Sequence, residues 1–253
     1  MMPPTRERDT AEADELLGQV QERGSVPLPQ LTDVDLCVFS ESFFSVMEAD
    51  VWDRWMGLPE QDRVALAQQA LGFLEYRKLL RRGEPSGPEA DPSFHIQPKL
   101  GYILGARKQP QFTGICSVPG QLRVGDLRLF GFFDQVHPDP FVLLERGTAR
   151  GLGTFGRIRE YVLATVDTAA GLSADWIRES FETDQEAGDK PRLLEIYWTP
   201  EGQPLHGERF SVRQSQGEFA LTHTQGTTTL FADRPINRHD LAAYIAPQLR
   251  AAR

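Results

Sequence analysis

Four consecutive runs in which apolar and polar residues alternate, Arg192 to Thr199, Glu208 to Ser215, Glu218 to Thr224 and Thr227 to Ala232, constrain this chain more than any other feature. Each run is closed by Gly, Pro, Asp or Gln, and period-two alternation broken by short turns predicts an antiparallel meander. A helix follows, with Asn237 and Asp240 placed as a cap and an apolar stripe of Leu241, Tyr244, Ile245 and Leu249. Pro247 falls inside that helix and should kink or shorten it. The stretch Gln111 to Asp167 shows the same order of events. Its runs are Gln111 to Ser117, Asp126 to Asp134 and Phe141 to Arg146, and a helix over Ile158 to Ala169 follows, with the stripe Ile158, Tyr161, Val162 and Val166. The expected fold class is therefore α+β, with two pseudo-symmetric antiparallel β-meander-plus-helix halves at 91–187 and 188–253. Asp126 to Asp134 should pair with Phe141 to Arg146 across the turn DQVHPDP, and Glu208 to Ser215 with Glu218 to Thr224 across Gln216 and Gly217. Phe130, Phe132, Val142, Phe210, Val212 and Phe219 supply the candidate core.

The remainder reads as an N-terminal helical part. Residues 1–30 are rich in charge and proline, and their one apolar group, Leu16, Leu17 and Val20, is too short to fold alone, so a flexible arm is expected. Residues 31–82 carry helical spacing three times over. Thr32 with Asp35 makes a variant capping box before Leu36, Phe39, Phe43 and Met47; Val51, Trp52, Trp55 and Met56 form a short second helix; Val64, Ala67, Leu71, Leu74 and Lys78 follow Pro59 in a third that ends before Gly83. A linker, GEPSGPEADP, comes next, and then a short helix over Leu100 to Arg107.

Acidic residues outnumber basic ones, 36 to 27, giving a formal net charge of −9 that counts against non-specific attraction to nucleic acid or an anionic membrane. No apolar run approaches the roughly 18 residues of a membrane span, and the first ten residues are polar where a signal peptide would be apolar, so a cytoplasmic location is expected. Cys37 and Cys116 stand far apart among apolar neighbours, as buried thiols do, without zinc-site spacing.

Three patterns invite a chemical reading. The run GLGTFG, Gly151 to Gly156, matches the dinucleotide fingerprint, but no buried strand precedes it and no acidic residue closes a following one at the required distance. Asp134, His137 and Asp139 lie within six residues, yet Pro138 and Pro140 make their turn a stiff hairpin tip where three hard ligands do not converge on one ion. The helices of 31–82 suggest a helix-turn-helix that binds DNA, against which their basic residues bunch at one end, Arg77, Lys78, Arg81 and Arg82. No nucleophile elbow, P-loop or zinc-protease motif occurs, so neither catalysis nor a cofactor is expected.

The order of elements resembles one known family. The segments LTDVDLCVFSESFF, DPSFHIQPKLGYILGARKQPQF, RLLEIYW, RFSVRQSQGEFALTHT and TTTLFADRPINRHDLAAYI, spread over Leu31 to Leu249, are similar in sequence order to the EspG family of type VII secretion chaperones. The resemblance implies two pseudo-symmetric α/β halves in one cytosolic protein that binds helical secretion substrates. It also implies a binding loop within the meander, whose positional counterpart is the tip containing Gln135, Val136, His137 and Asp139. The long N-terminal stretch and GLGTFG depart from that family's pattern.

Overall fold

The computed structural model describes residues 4–42, 48–83, 94–119, 125–133, 137–148, 155–183, 190–237 and 239–252. Its centre is a nine-stranded, wholly antiparallel sheet. The first meander is β4 (Phe112–Ser117), β5 (Leu127–Phe132), β6 (Phe141–Thr148) and β7 (Ile158–Thr165), and α6 (Val166–Thr183) follows it. The second is β8 (Arg192–Trp198), β9 (His206–Ser215), β10 (Glu218–Gln225) and β11 (Thr228–Ile236), followed by α7 (Leu241–Ala251). Strands β4 and β8 lie side by side and antiparallel, and each meander runs outward from them. An approximate two-fold axis normal to the sheet between β4 and β8 therefore carries β4-β5-β6-β7-α6 onto β8-β9-β10-β11-α7. The helices α6 and α7 pack against each other on one sheet face, here called the inner face.

Ahead of the meanders come α1 (Pro4–Arg23), β1 (Ser25–Thr32), α2 (Asp33–Ser42), α3 (Ala49–Met56), α4 (Glu60–Tyr76), β2 (Leu80–Arg82), β3 (Phe94–Ile96) and α5 (Pro98–Lys108). Strand β1 extends the sheet by pairing with β7, while β2 and β3 form a separate two-stranded ribbon. The expected capping box at the start of α2 is formed: the Asp35 amide donates to Thr32 Oγ1 at 3.1 Å, and the Thr32 amide to Asp35 Oδ2 at 2.7 Å.

Two cores flank the sheet. On the inner face, Phe112, Leu129, Val142, Leu194, Ile196, Phe210, Val212 and Leu221 meet α6 and α7 through Ile177, Leu241, Ile245 and Leu249. On the outer face, Phe141, Leu143, Tyr161 and Leu163 of β6 and β7 meet α1, β1, α2, α4 and α5. Both expected hairpins pair in the expected register, β5 with β6 and β9 with β10. Of the candidate core, Val142, Phe210, Val212 and Phe219 are buried, and Phe130 and Phe132 pack half-buried on the outer cluster.

Several expectations are corrected. Residues 1–30 are not a free arm: Leu16, Leu17 and Val20 of α1 are buried in the outer core, and β1 completes the sheet. A stripe too weak to fold alone is stabilised by a sheet face prepared by residues far away. Ile158 to Thr165 is a strand and not the start of a helix. Its Arg159, Tyr161 and Leu163 alternate in burial along β7, a period-two pattern, and the helix begins only at Val166. The third helix of the N-terminal part stops at Tyr76, where Lys78 takes a left-handed φ of 58°, and the chain then enters β2. At the far end α7 starts at Leu241, later than expected, because the Asn237 side chain accepts from the His239 amide in a turn that precedes it; Pro247 lies within the helix, which continues to Ala251. Cys37 and Cys116 are both buried, as expected.

Candidate functional site

The two-fold arrangement makes the two halves comparable, and they differ in one respect. In the first half the outer face of β5, β6 and β7 lies beneath α1, α2 and α5. In the second half the counterparts of β5 and β6 are β9 and β10, and on the same sheet face these two strands and the adjoining β8 present Leu193, Glu195, Tyr197, Ser211, Ala220 and Thr222, which are half-buried and join no apolar cluster, together with the exposed Arg209 and Arg213. Across this face Glu195 Oε1 accepts from Arg209 Nε at 2.8 Å and from the Tyr197 hydroxyl at 3.1 Å. Those bonds fix the Tyr197 ring over Gly207, where a Cβ would come within 2.9 Å of the ring carbons. Both the Glu195 carboxylate and burial raise the Tyr197 hydroxyl above its usual range, with burial the larger cause, so it stays a neutral donor. On this face Ser211, Ala220 and Thr222 lie beside the exposed Arg213, with Tyr197 and the Glu195–Arg209 ion pair at its β4 side.

The hairpin tip expected to bind a partner lies at one end of the same sheet. Phe112 pairs with both Gly131 of β5 and Trp198 of β8, so the β5–β6 tip and the β8–β9 turn leave the sheet at the same end. Gln135 and Val136, with Asp134, lie outside the described residues. The His137 ring packs edge-on against Phe141 at 5.2 Å between centroids, and Asp139 is exposed and faces Arg250 of α7 at 3.5 Å. Arg250 also pairs with Asp167 at 2.6 Å. Within GLGTFG, residues 151–154 lie outside the described residues, and Phe155 is buried against Trp55 with ring centroids 5.8 Å apart. Among the described residues no group of three or more His, Cys, Asp or Glu side chains could hold a metal ion, and no helix is long and apolar enough to cross a membrane.

Two polar clusters were not anticipated from the sequence. Arg159 is almost fully buried on the outer face and donates to Asp33 Oδ1 at 2.8 Å, to Glu145 Oε1 at 2.6 Å and to both Glu48 oxygens at 2.7 and 2.9 Å. Arg107 bonds Glu145, and Arg128 bonds Glu48. Three arginines and three carboxylates thereby join α2, the turn before α3, α5, β5, β6 and β7. Burial brings Arg107 and Arg128 down to about 10, still charged at neutral pH. The second cluster lies on the inner face: His223 Nε2 is 2.9 Å from Glu208 Oε2, with the ring stacked on Phe210 at 4.4 Å, and Gln225 Nε2 donates to Glu208 Oε1 at 3.3 Å. With its amide turned, Gln248 of α7 donates to the same carboxylate at 3.0 Å. In the core beside them, burial pushes the Cys116 thiol up to about 12, which leaves it protonated and unreactive.

An elongated groove of about 460 Å³ runs between α4 on one side and β1 and α2 on the other, lined by Leu31, Val34, Leu66, Ala70, Phe73 and Ile158 with Arg77 at one end. The chain is thus an α+β protein of two related halves built on one antiparallel sheet. Comparison with known proteins yields no matching family model, no matching curated protein and no matching solved structure.

Proposed function

We infer that the protein is a non-catalytic binding protein of the cytoplasm, an EspG-like chaperone or adaptor that holds a helical secretion substrate. The reading rests on the asymmetry between the halves: the outer face of β5 and β6 carries helices of the protein's own chain, and the related face of β9 and β10, with the adjoining β8, carries none among the described residues. A helix from a partner would take there the place that α5 takes in the first half, with Tyr197 as its aromatic contact. The buried ionisable groups support a binding role, because Arg159, Glu145, Glu208 and His223 are spent on joining elements.

Co-expression with a small helical secretion substrate encoded beside the gene tests it directly. A stable complex should form, and Ser211→Arg with Thr222→Arg, facing residues on β9 and β10, should abolish it while circular dichroism shows the chain still folded. Replacing residues 135–140 by Gly and Ser should weaken it. A complex indifferent to both changes would remove the assigned surface, and no complex with any such substrate would remove the chaperone reading.

A further inference from the structure

The groove beside α4 lies outside the surface assigned above and has its own chemistry. Leu66, Ala70, Phe73 and Arg77 recur along α4 at helical spacing and form one wall. Phe73 is 62 % exposed and Tyr76 is 84 % exposed, with their rings in edge contact at 6.4 Å. Two adjacent aromatic rings left in water at the rim of an apolar groove mark a contact surface. Immediately beyond them stand four cations in a chain of net charge −9: Arg77, Lys78, Arg81 and Arg82. Arg82 is paired with Glu75 at 2.6 Å, whereas Lys78 and Arg81 are exposed and have no carboxylate within ion-pair distance among the described residues.

The backbone beside the groove restricts what could enter. Strand β1 is an edge strand, and an extended peptide would need its outward amides and carbonyls. Pro27 and Pro29 have no N–H to give, Arg77 donates to the Gln30 carbonyl at 2.7 Å, and Asp35 takes the Thr32 amide. Strand addition is blocked over this stretch, and only side-chain contacts remain. From Leu66 to Arg77 the wall is about 16 Å long, the length of roughly three helical turns.

We propose that the α4 groove is a second docking site, which takes an amphipathic helix of a partner protein with apolar residues at i, i+3, i+4 and i+7 and carboxylates at the end that meets Lys78 and Arg81. The apolar positions pack on Val34, Leu66, Ala70 and Phe73, and Tyr76 closes over them. The carboxylates meet Lys78 and Arg81, which have no such partner among the described residues.

The test uses the full chain and three labelled helical peptides of about 14 residues that share one leucine face and carry Glu, Gln or Lys at one end. The Glu peptide should bind at least about tenfold more tightly than the Lys peptide at low salt, with the preference shrinking as salt rises. Lys78→Glu with Arg81→Glu should reverse the order, and Phe73→Ser with Tyr76→Ser should weaken all three peptides. All four positions are exposed, so the variants should keep the parent's melting temperature. Ser211→Arg with Thr222→Arg should leave peptide binding intact, which separates this site from the open sheet face. Absence of binding by every peptide, or binding that neither α4 variant changes, overturns the proposal. So does a result in which only duplex DNA or vesicles of anionic phospholipid bind and lose binding in Lys78→Glu with Arg81→Glu, because the patch is then a polyanion site.

Discussion

Arg159 satisfies three carboxylates at once, and its neighbour two residues along the same strand face, Tyr161, has a buried hydroxyl with no hydrogen-bond partner among the described residues. These two side chains should respond to mutation in opposite directions. Arg159→Met leaves Asp33 and Glu145 buried with less positive charge nearby, and should cost about 3–5 kcal/mol, since uncompensated buried charge is far more expensive than the pair itself is favourable. Tyr161→Phe removes a polar atom that the fold has desolvated without compensation, and should be neutral or stabilising by about 1 kcal/mol. Urea unfolding of both variants at unchanged m-value checks the pair; a strongly destabilised Tyr161→Phe would mean that the hydroxyl is engaged. Neither property was legible in the sequence. Asp33 and Arg159 are 126 residues apart, and their proximity depends on β1 pairing with β7.

Helix α1 shows how an element can be hidden by its own weakness. Leu16, Leu17 and Val20 give three apolar residues in a charged stretch, which in isolation is a solvated coil, yet all three are at most 4 % exposed. Leu17→Ala should cost about 2–5 kcal/mol, against nothing for a free arm, and thermal denaturation distinguishes the two. The converse error occurred at Ile158 to Thr165, where Ile158, Tyr161, Val162 and Val166 fit a helical stripe while Arg159, Tyr161 and Leu163 fit a strand. One of those three inward positions is a buried charged residue, so a hydrophobic pattern alone does not reveal the strand. By contrast β8, β9 and β10 of the second meander were legible, because each buries one face only and alternation survives, whereas β11 is exposed over most of its length and runs on past Ala232 to Ile236. The β9–β10 turn even fixed a contact that went unread. A two-residue loop at Gln216 and Gly217, with φ of 52° and 87°, sets Glu208 opposite Gln225, and this register places Glu208 diagonally beside His223 on one face. The open sheet face, by comparison, had no signal in the sequence, since it depends on which helices the rest of the chain can spare.

At the scale of the whole molecule, the joint between the halves is the β4–β8 ladder. Phe112 to Ser117 pair with Trp198 to Leu193 across the two-fold axis, and a single inner core runs continuously from Phe112 and Val142 to Phe210 and Leu249. Two halves so joined cannot separate without exposing a strand edge and the α6–α7 contact together. Unfolding should accordingly be one cooperative transition, with near-ultraviolet and far-ultraviolet signals coincident in urea. The second half expressed alone, residues 188–253, is a sharper test. It keeps its own meander and α7, but β8 becomes an unpaired central edge, and Leu194, Ile196, Leu241 and Ile245 lose the residues of α6 and β4 that cover them. A chain of this length buries too little apolar surface to offset such a loss, so the fragment should be unfolded or associated and gain dispersed amide resonances only when residues 1–187 are added. A monomeric fragment that folds alone would show that each half is an independent domain. The two-fold relation would then describe two units placed side by side, and the asymmetry of their outer faces would no longer follow from one shared sheet.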